Sequence, residues 1–198
     1  GVAGASGEST VIMLSGIAGL LAGAFSMAAG EYLSVRSQRE MYEYQIGLER
    51  DELEQYPAEE AAELALIFQA KGLEREEARR LAQKLIADPD QALDTLTREE
   101  LGLNPDELRS PWGAALFSFF AFATGAMVPL LPFLVTAGAP ALFSAMGVTA
   151  VALFAVGAAL SLFTGRHAWL GGLRMLAIGA AAGGATYLIG KALGVSLG

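Results

Sequence analysis

Two sets of residues in this chain have the types and spacing to handle cations. Met27 and Glu31 close a long apolar run one helical turn apart, so a thioether and a carboxylate share a face. A carboxylate at the rim of hydrocarbon either snorkels to water or marks an ion path, and a neighbouring thioether favours a transition metal. Farther on, Glu49 with Glu52 and Glu60 with Glu63 form two Glu-x-x-Glu pairs. On a helix each pair lies on one face, where the carboxylates repel unless water or a cation separates them. Such a face is either simply solvated or a site for a divalent ion, and carboxylates alone do not choose among iron, manganese and magnesium.

The elements that must carry these residues are legible in the hydropathy. The 198 residues are 54% hydrophobic, too apolar for an ordinary soluble domain. Apolar runs cover 9 to 35, 112 to 137, 140 to 164 and 168 to 196, which predicts four spans of a bilayer core. Pro129 and Pro132 should kink the second. Gly19 with Gly23, and Gly179 with Gly183, are small-residue pairs that permit close helix approach. Between the first two runs lies a charged segment: from 36 to 109 there are ten Lys or Arg against nineteen Asp or Glu, a net of −9 in a chain whose total is −8. Basic residues flank the spans at Arg36, Arg39, Arg109 and Arg166, all on one face of the membrane in an alternating topology. The positive-inside rule makes that face, and the acidic segment with it, cytoplasmic.

Within the acidic segment the period is helical. Met41, Tyr44 and Leu48 form one stripe, Ala61, Leu64, Ala65 and Phe68 a second, and Ala78, Leu81, Ala82 and Leu85 a third. Pro57 separates the first two helices, Gly72 ends the second, Asp88-Pro89 caps and starts another, and Gly102 closes it. The first of these helices should be continuous with the preceding span. The reading is an all-α polytopic membrane protein: 1–35 membrane, 36–109 a cytoplasmic helical bundle, 110–198 three further membrane helices.

Several function classes are excluded. There is no cysteine, hence no disulfide or thiolate site, and the single His167 rules out a multi-histidine zinc centre. No P-loop, dinucleotide fingerprint, nucleophile-base pair or open metal triad is present, so neither an enzyme nor a prosthetic group is expected. The acidic balance argues against nucleic acid.

The run Met-Ala-Ala-Gly-Glu-Tyr-Leu-Ser-Val-Arg-Ser-Gln-Arg at 27 to 39 closely resembles the end of the second membrane helix in the vacuolar iron transporter family. The likeness extends to Arg-Glu-Glu-Leu-Gly-Leu at 98 to 103 and to Ser-Pro-Trp-Gly-Ala-Ala at 110 to 115, and covers essentially the whole chain. It implies proton-coupled export of Fe²⁺ or Mn²⁺ from the cytoplasm by a homodimer, in a bacterial-type member of the plasma membrane. It also implies metal binding at Glu49, Glu52, Glu60, Glu63 and Glu100, with Glu43, Glu59 and Glu99 as neighbouring alternatives, and passage past Met27 and Glu31. Where some plant relatives carry adjacent methionines, this chain has Leu96 and Thr97. The family's Asn-Asp-Gly motif, on a helix preceding the first run, does not occur here, and residues 1 to 9 read as that helix's tail. Without that helix the competing expectation is a membrane-anchored iron buffer, sensor or docking protein.

Overall fold

The computed structural model describes residues 1–104 and 109–197, and they form helices and turns with no strand among them. The protein is an all-α polytopic membrane protein. Its elements are α1 (Val2–Ala5), α2 (Ser9–Gln55), α3 (Pro57–Ala70), α4 (Arg75–Ile86), α5 (Pro89–Glu99), α6 (Pro111–Met127), α7 (Leu131–Val135), α8 (Gly138–Phe163) and α9 (Ala168–Leu197). They fall into two compact units, Gly1–Ala28 with Leu116–Gly198, and Ala29–Ala115.

In the first unit, α8 and α9 are long and apolar enough to cross a membrane, as is α2 over its N-terminal part. The 47 residues of α2 continue beyond this apolar part into the second unit. The expected span over 112 to 137 is not one kinked helix. It divides into the 17 residues of α6 and the five of α7. Pro129 has no N–H for the Gly125 carbonyl, and Pro132 withholds the next-turn donor from Val128, so the helix stops instead of bending. One glycine of each expected pair lies at a close helix approach: a Cβ at Gly23 would collide with the Phe122 ring of α6 and one at Gly179 with Leu153 of α8, whereas Gly19 and Gly183 face open space. A Cβ at Gly157 on α8 would collide with the Gly171 carbonyl of α9.

The second unit is a helical bundle around Leu64, Ala65, Phe68, Ala78, Ala82 and Leu96, with Leu53, Leu73, Leu85 and Ile86 packed against them. Its turns follow from local chemistry. Pro57 starts α3 at a position where no intrahelical donor is needed. Gly72, at φ +102°, ends it: the Gly72 amide donates to Gln69 and the Leu73 amide to Phe68, while Leu73 and Phe68 join the core. Asp88 caps α5 by accepting from the Gln91 amide at 3.4 Å and from its side chain at 2.9 Å. The Tyr32 ring of α2 packs at a tilt of 56° against Trp112 at the start of α6, ring centroids 4.9 Å apart.

One expected stripe faces the wrong way. Met41, Tyr44 and Leu48 are 51, 67 and 45% exposed, whereas Glu49 and Leu53 of the same helix turn inward. The inward face contains a carboxylate, so counting apolar residues selects the other one.

Candidate metal centre

Three helices bring one carboxylate each to a common point in the bundle. Glu49 comes from the C-terminal part of α2, Glu60 from the first turn of α3, and Glu100 from the residue just after α5. One oxygen from each lies within 4.8 Å of the other two. Glu49 and Glu60 are 3 and 5% exposed, and Glu100 sits at the solvent side. The Glu49 Oε1 and Glu60 Oε2 atoms are buried without a hydrogen-bond partner.

The reason the trio forms lies in the neighbouring apolar residues. Leu53 is one turn from Glu49, Leu64 one turn from Glu60, and Leu96 one turn from Glu100; Leu64 and Leu96 are fully buried and Leu53 packs against them. Burying those leucines carries Glu49 and Glu60 inward on the adjacent turn and leaves Glu100 at the solvent-exposed rim beside them. The electrostatic result is a centre that resists ionisation. Burial, then the charges of Glu100, Glu60 and Glu52, push Glu49 from 4.5 up to about 7. Glu60 and Glu100 also move up, each first through desolvation, then through neighbouring carboxylates. Of this neighbouring pair, the proton is favoured on Glu49. If all three ionised, each pair at about this separation would repel by about 3 kcal/mol at an effective dielectric of about 20. A divalent cation removes that repulsion and supplies the partner that the buried oxygens lack.

The other site residues expected from the sequence fall into two groups. Glu52 and Glu63 are exposed but close enough to raise the trio's proton affinity, so they form an outer acidic ring. Met27 is 48% exposed on α2, and Glu31 is exposed one turn later; among the described residues Glu31 joins no group of three potential ligands. The alternatives to the five glutamates do not enter the centre. Glu43 pairs with Arg39 at 2.7 Å, Glu59 is solvent-exposed, and Glu99 forms an ion pair with Lys71. The Lys71 pairing was the feature missed by sequence reasoning, since nothing in the spacing of 71 and 99 signals that α3 and α5 meet there.

A family model described as the VIT family matches residues 1–191. Vacuolar iron transporter 1 of Oryza sativa subsp. japonica is 34% identical over 194 residues, 98% of this chain and 77% of the relative. Vacuolar iron transporter 1 of Arabidopsis thaliana is 32% identical over 96% of this chain and 77% of its own length. The vacuolar iron transporter of Acanthamoeba castellanii is 36% identical over 94% of this chain and 71% of its own length.

Proposed function

The chain belongs to the VIT family, and from that premise we propose that it exports Fe²⁺ or Mn²⁺ from the cytoplasm across a membrane in exchange for protons. It is a metal-ion transporter and not an enzyme. The observation that carries the reading is the meeting of Glu49, Glu60 and Glu100 oxygens within 4.8 Å, two of them on buried carboxylates. Such a cluster is costly unless a cation or protons occupy it, which suits a centre that loads ions from the cytoplasm.

In this reading residues 36–109 are the cytoplasmic ion-collecting domain, with Glu52 and Glu63 attracting cations toward the trio. Arg36, Arg39, Arg109 and Arg166 support the orientation. Met27 and Glu31 lie on the membrane path, where Glu31 exchanges a proton for the ion and Met27 favours softer cations. The exposed apolar face of Met41, Tyr44 and Leu48 supports a homodimer, and the plasma membrane of a bacterial-type member is the setting.

The test is simultaneous metal and proton flux in proteoliposomes of the full chain. The expected result is metal uptake into the vesicle with proton counterflow, greatly reduced in the Glu49→Gln, Glu60→Gln double variant. Binding without any flux above empty liposomes would overturn transport and leave a membrane-anchored metal buffer.

A further inference from the structure

The C-terminal turn of α5 holds three consecutive side chains in three directions. Arg98 donates to Asp94 one turn back, at 3.0 Å, and to the Asn104 side chain at 2.8 Å. Glu99 forms an ion pair with Lys71, the residue that caps the C-terminal end of α3. Glu100 reaches the metal centre. The backbone here is wound tightly: the Glu100 amide donates to the Leu96 carbonyl, the Leu103 amide to that of Thr97, and Gly102 takes φ +64°. On such a turn neighbouring residues are separated by about 100° around the axis. Fixing the direction of residue 99 therefore fixes that of residue 100. Three other ion pairs, Arg36 with Glu40, Arg39 with Glu43 and Arg98 with Asp94, each run within one helix. The Lys71 pair instead spans two helices, and they are the helices that deliver Glu60 and Glu100.

We propose that the Lys71–Glu99 ion pair is a positioning device for the metal centre, holding the last turn of α5 in the register that presents Glu100, not Glu99, to Glu49 and Glu60. The inference rests on the trio being the ion site. It has a signature that charge alone cannot imitate. Lysine is a cation near an acidic centre, so removing its charge should by Coulomb's law tighten binding of a divalent ion. If Lys71 acts by positioning, its removal loosens binding instead.

The experiment is Mn²⁺ titration of the full chain in detergent or nanodiscs, comparing wild type with Lys71→Gln, Lys71→Arg, Glu99→Gln and the Lys71→Gln, Glu99→Gln pair. The expected loss is about threefold to fivefold in affinity for Lys71→Gln and for Glu99→Gln, the range an exposed ion pair can supply. The double variant should lose no more than either single one, because both remove the same link. Lys71→Arg keeps charge and reach and should stay within about twofold of wild type. Lys71→Gln binding as tightly as wild type, or more tightly, overturns the positioning role. Glu49→Gln with Glu60→Gln serves as the separate control: unchanged Mn²⁺ binding there would overturn the trio as the ion site, and the positioning role with it.

Discussion

Lowering the pH from 8 to 6 should weaken Mn²⁺ binding at the three-glutamate centre by about tenfold. Glu49, raised to about 7, is the group that sets this window. A proton on it competes directly with the ion, so the apparent dissociation constant scales with one plus the ratio of protonated to ionised carboxyl. That factor is about 1.1 at pH 8 and about 11 at pH 6 for a group titrating near 7. Glu60 and Glu100 move in the same direction and can only steepen the dependence. Calorimetry in two buffers of different ionisation enthalpy counts the protons directly: Glu49 alone should release about 0.9 per ion at pH 6 and about 0.1 at pH 8. Stability of the metal-free bundle runs the opposite way. The folded pKa is raised, so this group's stabilising contribution is fully present below about 4.5 and is lost as pH rises through about 7, up to about 3 kcal/mol in all. Affinity that does not vary between pH 6 and 8, with no proton released, would refute the reasoning.

Glu49→Gln should raise the metal-free stability at pH 8 by up to about 3 kcal/mol while lowering Mn²⁺ affinity, read by thermal unfolding and calorimetry on the same sample. Leu64→Ala, at a fully buried core position, should cost about 2 to 5 kcal/mol and lower the urea midpoint of the bundle. Single cysteines replacing Glu76 and His167 should be labelled by an impermeant reagent from the same side of the membrane; labelling from opposite sides would overturn the proposed topology. In flux measurements Glu31→Gln should abolish most proton-coupled metal movement, and Met27→Leu should preserve flux while weakening preference for softer cations.

The helix boundaries of the bundle were open to reading because they depend on local chemistry. Proline at 57 and 89, the Asp88 cap and the left-handed glycines at 72 and 102 act within a few residues of themselves. The all-α membrane class was equally plain from the apolar runs. What the periodicity misread was the inward face of α2, and the cause is the site itself: Glu49 interrupts the stripe that ends in Leu53, so the apolar count favours the Met41, Tyr44 and Leu48 face. Likewise, five glutamates look equivalent in sequence. Only packing separates buried Glu49 and Glu60 from exposed Glu52 and Glu63, because the difference is set by which turn lies beside Leu53 and Leu64. The α6–α7 break was half legible, since two prolines predict a disturbance but not whether the helix bends or stops.

The position of Glu49 and Glu60 inside the bundle would tie occupancy of the proposed ion site to the docking of helices. Each carboxylate sits one turn from a leucine that holds its helix to the common core, so the apolar contacts that assemble the bundle also drive like charges together. Protonation is one way to relieve this conflict, and the conflict pushes all three carboxyls up, Glu49 to about 7. A divalent ion held there, as proposed, would relieve it more completely, because it would neutralise the carboxylates and give the buried oxygens a partner at once. Under the proposed reading, proton and metal are alternative ligands of this partly buried cluster, and binding of an ion there is expected to release protons. If the cluster is the ion site we propose, its metal–proton exchange rests on desolvation and like-charge repulsion among three glutamates, and the pH dependence of Mn²⁺ affinity predicted above is its test.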